Sequence, residues 1–239
     1  MTLNLANVMK NRVGVETDQS AALRNVATTR MADLLGIGSI VAKSEVAVLE
    51  KNGKLIHGIA MDGAAGMEMN KIFDEAQKAN VHVKYSAEAL KQIAKMQVLD
   101  AICGQIDRKG DNFFGQYTVD TNGDYVITGI TAIDNDMAFG DLTIADMSKQ
   151  IKKENLISLP QEFVDKIMNL EPAVIAHELS DIITADKVDA LVVRLNTIKG
   201  WLNEKRQDPS FTDVSNDDAV VSRFENAKTA GHLNGLYFR

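Results

Sequence analysis

Two polar segments of this chain carry residues whose types and spacing could manage the transfer of a phosphoryl group. The first reads Gln105-Ile106-Asp107-Arg108-Lys109-Gly110-Asp111-Asn112, and the second Ala132-Ile133-Asp134-Asn135-Asp136-Met137-Ala138-Phe139-Gly140. Asp107 and Asn112 stand at the spacing D-x-x-x-x-N, which puts a hydroxyl-orienting carboxylate and a magnesium-binding carboxamide on one short loop. Asp134 would supply the second metal ligand, with Asp136 in its place if Asp134 points away. A phosphoryl group in transit spreads negative charge over its oxygens, so its transfer depends on positioning and on charge neutralisation by Mg²⁺. Mg²⁺ is a hard cation that keeps several waters, and a carboxylate with a carboxamide suffices from the protein. Asp, Asn and Gly also build ordinary surface turns; the second carboxylate loop is what favours chemistry over a turn.

The elements that must position these loops can be read from periodicity. Residues 86–104 predict a helix with Ser86 as N-cap, running straight into the Asp107 loop. Residues 113–119 and 125–131 predict a hairpin closed by Asp120-Thr121-Asn122-Gly123-Asp124, which returns Asp134 close to Asp107. That turn resembles the start of a calcium loop, but its glycine is misplaced and no glutamate completes the pattern.

Upstream, residues 3–10 predict a short strand ending at Lys10. Leu23, Val26, Ala27, Met31, Leu34 and Leu35 predict a helix from Ser20 with one apolar stripe, closed by Gly36. Residues 40–49 and 55–61 predict strands joined by Asn52-Gly53. The small residues 62–66 read as a connector between two lobes. Further helices are expected at 68–79, 142–152, 160–169, 171–183 and 185–205, with Pro160 and Pro172 near helix starts. Residues 207–218 read as loop, and no element is assigned beyond them.

At 239 residues, 45% hydrophobic, the chain suits one large domain or two small lobes. A net charge of -7 argues against coating nucleic acid. The single cysteine, Cys103, excludes an intramolecular disulfide and a multi-thiolate zinc site, and suits a reducing compartment. The four histidines, His57, His82, His177 and His232, are scattered without metal-ligand spacing. The start lacks a basic and apolar signal pattern, and no apolar run reaches the ~18 residues of a membrane span. The expectation is a soluble protein with no transmembrane segment, cytoplasmic or exported without a Sec signal.

The two carboxylate loops, Gln105-Ile106-Asp107-Arg108 through Asn112 and Ile133-Asp134-Asn135-Asp136-Met137-Ala138-Phe139, resemble the catalytic and metal loops of atypical kinases in the protein-kinase-like superfamily. These are the phosphatidylinositol kinases, the actin-fragmin kinase and the secretory-pathway kinases. Val8-Met9-Lys10, Arg24-Asn25-Val26-Ala27 and Leu34-Leu35-Gly36 extend the resemblance upstream. It implies an α+β, bilobal protein-kinase-like fold, with a reduced first lobe and hinge over 1–66 and a mainly helical second lobe over 67–239. It implies ATP and Mg²⁺ as cofactors and a protein or lipid hydroxyl as acceptor. Asp107 would orient or deprotonate that hydroxyl, Asn112 and Asp134 would hold Mg²⁺, and Lys10 would contact phosphate. Gly58-Ile59-Ala60-Met61 would enter the hinge, placing Ile59 and Met61 beside adenine. Arg108 would pair with a carboxylate to hold its loop.

Three positions depart from the pattern. Lys109 stands where phosphatidylinositol kinases typically have histidine, which weakens a lipid acceptor. Asn25 stands where the helix glutamate would pair with the lysine, leaving Glu16 as a substitute. Nine residues precede Lys10, too few for two strands and a glycine-rich loop, so the chain is expected to be part of a longer protein or to dispense with that lid. The alternatives are a pseudokinase-like scaffold or binding module and an AMP-transferring enzyme on the same fold. The resemblance also points to a secreted bacterial effector as the setting.

Overall fold

The computed structural model describes residues 19–147, 151–233, 235, 237 and 238. The periodic segment after Ser20 forms α1 (Gln19–Leu34), and Gly36 beyond it takes a φ of +69°, left-handed backbone that glycine reaches without a Cβ clash. β1 (Ser44–Lys51) and β2 (Lys54–Met61) pair antiparallel. Asn52 and Gly53 between them both have positive φ, 55° and 72°, the backbone of a tight turn matched to strand twist.

β1 starts later than the β-branched run predicts. Gly38–Ile40 forms a 3-10 turn, Val41 bridges in parallel to Ala132, and the Ala42 amide donates to the Ala132 carbonyl at 2.8 Å. The front of the predicted strand is thus captured by a different sheet. That sheet has four strands in the order β3 (Met67–Glu68), β5 (Phe113–Val119), β6 (Tyr125–Ala132), β4 (Val83–Tyr85). β4 runs parallel to β6 and the other pairs are antiparallel. β3 and β4 carry too few residues for a period-two signal, and the edges of the β5–β6 hairpin recruit them.

Two helices lie between these strands. α2 (Met69–Ala79) buries Ile72 and Ala76. α3 (Ala87–Cys103) is N-capped by Ser86, whose hydroxyl accepts from the Ala89 amide at 3.2 Å, and is covered nearly all round. After the second hairpin come α4 (Gln161–Asn169), α5 (Pro172–Leu179), α6 (Ala185–Lys205), the single turn α7 (Pro209–Thr212) and α8 (Asp217–Thr229).

The predicted helix over 142–152 is not present among the described residues. There, the Met147 amide donates to the Thr143 carbonyl and the Ile151 amide to the Met147 carbonyl, two successive helical bonds, residues 148–150 lying outside the described ones, and Lys153–Asn155 forms a 3-10 turn. Asp146 accepts from the amide and hydroxyl of Thr143 and its own amide donates to that hydroxyl at 3.3 Å, the reciprocal pair that starts a helical turn. The helix expected over 171–183 closes at Leu179. α7 and α8 correct the reading of 207–218 as loop and of the following residues as unassigned. In α8, Asn216 caps the Ala219 amide at 3.0 Å, and Asp217 and Asp218 face the positive end of the helix dipole.

One hydrophobic core runs from Ala27 and Met31 of α1 and Leu35 just beyond it through Ile93 and Leu99 of α3 and Phe113 and Ile127 of the sheet to Leu195 of α6 and Phe224 of α8. The β1–β2 hairpin stands largely outside it, with Val46, Val48, Leu49, Leu55 and Ile56 exposed. α1 does not bury a single apolar stripe. Arg24, Asn25, Thr28 and Thr29 are as buried as Val26, because elements cover the helix on several sides. The fold is α+β, and among the described residues no helix is long and apolar enough to cross a membrane.

Candidate active site

α3 delivers the first loop. Gly104 ends the helix with φ +71°, its amide donating to the Asp100 carbonyl. A Cβ there would meet the Arg194 guanidinium carbon at 2.9 Å, so the glycine is needed for space as well as for conformation. Arg194, fully buried on α6, donates to the carbonyls of Ile102, Cys103, Gly140 and Leu142. A cation at the negative end of the α3 dipole thereby ties that helix to the end of the second loop. Burial pulls its pKa down to about 10, still protonated at neutral pH.

Arg108 joins the two loops. Its Nε and NH2 grip Asp100 at 2.9 and 2.8 Å; its NH1 donates to the carbonyls of Asn112 and Ile133, both at 2.7 Å; and its NH2 also reaches Asn135 Oδ1 at 2.6 Å. All five guanidinium donors are used. Burial opposes the charge, and Asp100 outweighs it, leaving the pKa raised. Asp100 Oδ2 also accepts from the Tyr237 hydroxyl at 2.7 Å. The expected carboxylate partner of Arg108 is thus Asp100, eight residues back on α3.

Within the first loop, Asn112 Nδ2 donates to the Asp107 carbonyl at 2.7 Å and to Asp107 Oδ2 at 3.2 Å. Asn112 is buried, whereas the Asp107 side chain is 43% exposed, beside the Lys109 ammonium at 3.3 Å. The Asn112 amide nitrogen is committed to Asp107, and among the described residues no hydrogen bond engages its Oδ1. Gln105 bridges the loops a second time: its Oδ-equivalent carbonyl, Oε1, accepts from the Asp107 amide, and its Nε2 donates to the Asp134 carbonyl, both at 3.0 Å. The Ile133 amide adds a backbone bond to the Asn112 carbonyl. On the outer side, Asn70 at the start of α2 holds Asp111 Oδ1 and the Gly110 carbonyl.

The second loop contains two left-handed residues that are not glycine, Asp134 (φ 55°) and Phe139 (φ 59°). Such backbone costs about 1–3 kcal/mol per residue and persists where surroundings fix it. Here the Phe139 amide donates to the Cys103 carbonyl at 2.6 Å, and Arg24 of α1 donates to the Ala138 carbonyl at 2.7 Å. Asn25 Oδ1 accepts from the Asn135 amide at 2.8 Å. The position that resemblance assigns to a lysine-pairing glutamate therefore anchors the second loop through its carboxamide.

Asp136 lies close enough to Asp134 for a mutual hydrogen bond. Partial burial first, then the Asp134 charge and bond and the Asp107 charge, push its pKa up to about 6, with Arg24 opposing. Asp107, Asp134 and Asp136 therefore share one electrostatic neighbourhood. Among the described residues no three His, Cys, Asp or Glu side chains converge as a ready-made metal cage. The hard oxygen donors of Asn112, Asp134 and Asp136 fit Mg²⁺ completed by water and phosphate, which is how that ion is usually held.

Lys10 and Glu16 lie outside the described residues. Ile59 is half-buried and Met61 40% exposed on β2, away from the hydrogen-bond network that joins the two loops. A cavity of about 600 Å³ lies beside residues 62–65, lined in part by Thr29, Asp33, Lys43, Asp62, Gln116 and Thr131. None of the predicted site residues among the described ones lines it. Sequence reasoning missed Arg24, Asp100, Gln105, Arg194 and Tyr237, whose roles depend on partners distant along the chain. No protein-family model matches the sequence, and no curated protein matches it either.

Proposed function

We propose that this chain carries out Mg²⁺- and ATP-dependent phosphoryl transfer to a protein or lipid hydroxyl, on a kinase-like bilobal arrangement. The observation that carries the reading is the Asn112–Asp107 pair: the carboxamide is buried, its nitrogen is spent on the carbonyl and carboxylate of Asp107, and its oxygen remains for a metal. An ordinary turn has no need of that arrangement beside two further carboxylates. The order helix, hairpin, connector, helices, carboxylate loop, hairpin, carboxylate loop supports the same reading.

In this scheme Asp107 accepts the hydrogen of the acceptor hydroxyl and aims its oxygen, while the exposed Lys109 ammonium offsets charge on the moving phosphoryl group. Asn112 and Asp134 hold Mg²⁺, with Asp136 next to them. When bound, the ion neutralises phosphate charge and fixes the leaving group. Arg108 and Gln105 touch no substrate; they keep the two loops in register. Asn25 favours a second reading, a nucleotide-binding module without turnover, because its carboxamide is occupied by Asn135 and offers no carboxylate to a phosphate-binding lysine.

The test is a thermal-shift titration with ATP, with and without Mg²⁺, on the native chain and on Asp134→Ala, followed by phosphate-release assays. Ligand at 100 times its dissociation constant stabilises by about 2.7 kcal/mol, or roughly 5–10 °C for a domain of this size. The expected outcome is a Mg²⁺-dependent shift lost in Asp134→Ala. No shift at millimolar ATP would reject the proposal, and a shift without turnover would select the second reading.

A further inference from the structure

Arg108 holds both loops, so whatever fixes Arg108 fixes the site. The carboxylate it grips is Asp100, and Asp100 Oδ2 has a second donor, the Tyr237 hydroxyl at 2.7 Å. Tyr237 is 129 residues beyond Arg108 in the chain and 2% exposed. Its ring packs at 6.3 Å from Phe113, the residue that follows Asn112, and its carbonyl meets the Tyr85 hydroxyl of β4 at 3.5 Å. Phe238 continues the contact, edge-on to Tyr85 and tilted against Phe224 of α8. An aromatic segment thus seats a single hydroxyl on the back of the charge pair whose front grips Asn112, Ile133 and Asn135.

We propose that Tyr237 is a positioning residue for the two carboxylate loops, acting through Asp100 and Arg108. The carboxylate has two oxygens to satisfy in a dry interior, and Arg108 alone occupies only one edge of it. Without the Tyr237 hydroxyl, Oδ2 keeps one donor, and Asp100 gains freedom to turn. Arg108 then loses its fixed plane, and its bonds to the Asn112 and Ile133 carbonyls and to Asn135 loosen together, because one rigid guanidinium makes them all. The consequence for activity rests on the phosphotransfer reading above; the consequence for loop order does not.

The experiment compares the native chain, Tyr237→Phe and Phe238→Leu by amide hydrogen exchange, with neither nucleotide nor metal present. Tyr237→Phe keeps the ring and removes the hydroxyl, whereas Phe238→Leu weakens the seat of the segment and leaves the hydroxyl. The expected result is at least tenfold faster exchange at the amides of Asn112, Ile133 and Asn135 in Tyr237→Phe, with those amides unchanged relative to α4 in Phe238→Leu. Equal exchange at those three amides in native and Tyr237→Phe proteins overturns the proposal, as does an equal acceleration in Phe238→Leu.

In turnover, Tyr237→Phe is expected to lower kcat and raise the Mg²⁺ concentration for half-maximal rate several-fold, with the ATP KM within twofold. A uniform loss of folded protein would lower the apparent kcat but would not move the Mg²⁺ concentration for half-maximal rate. A native chain with no Mg²⁺-ATP turnover would reject the phosphotransfer reading while the exchange data still decide the role of Tyr237. Should Tyr237→Phe fail to fold, exchange of the native chain in graded urea decides it: Asn135 and Tyr237 amides opening with one free energy and one urea dependence support the coupling, and distinct values refute it.

Discussion

Asp134 and Asp136 are two carboxylates in contact, and among the described residues the cations that reach the pair electrostatically, Arg24 for Asp136 and Lys109 and Arg108 for Asp134, are committed to the Ala138 carbonyl, to Asp107 and to Asp100. A carboxyl whose pKa is raised in the folded state favours folding below its unfolded value and loses that advantage as pH climbs through the folded value, here about 6. Asp136→Asn removes the repulsion, so without divalent cations it should melt higher at pH 7.5. Discounted for partial exposure, the gain is about 1–2 kcal/mol, or roughly 2–8 °C. The same variant should gain less from Mg²⁺-ATP than the native chain; an unchanged metal-free melting temperature would remove Asp136 from the cluster. Asp107→Ala belongs to the same scale. It should keep Mg²⁺-dependent ATP binding and lose transfer by ~10² or more, the usual effect of a positioned base, and equal turnover would displace Asp107 from the reaction.

The β5–β6 hairpin must return the second loop to a fixed place, and its far end is held by charge. Asp124 accepts from the His82 amide at 2.9 Å and meets Lys84 of β4 at 2.7 Å, while Asp120 meets the same Lys84 and caps the Asn122 and Asp124 amides. Lys84 and the His82 amide hold the Asp124 pKa at about 2. A carboxylate depressed in the folded state contributes stability above its unfolded pKa, near 3.9, and loses it as pH falls towards 2. Acid should therefore weaken the β4 edge first, read as faster amide exchange at Tyr125, whose amide donates to His82. Asp124→Asn should flatten that dependence between pH 4 and pH 2; an unaltered acid profile would assign it to other carboxylates. α1 works as an element in another way, with buried polar residues that reach the second loop through Arg24 and Asn25 and the first hairpin through Thr29, which accepts from the Ser44 amide at 3.0 Å.

Across the whole molecule, one continuous core locks α1, α3, the four-stranded sheet and α6 around the two loops, while the β1–β2 hairpin projects from it. The long, strongly patterned elements were legible in the sequence. α3 with Ser86 at its cap, the Asn52-Gly53 turn and the β5–β6 hairpin follow from local propensity, capping and φ requirements, which nearby residues set. α8 was legible too, since Asn216, the paired aspartates and Val220, Phe224 and Ala227 at helical spacing carry the signal, yet it was not read. The candidate loops were legible because phosphoryl chemistry restricts residue type and spacing within a few positions. Tertiary structure alone decided what fixes them. Arg108 finds Asp100, Asn25 finds Asn135, Arg194 finds four carbonyls and Tyr237 finds Asp100, and all but the first of these pairings span roughly 50 to 140 residues. Buried polar groups must be paired, but a sequence states only that need and not the partner, which exists once the core has brought distant segments together.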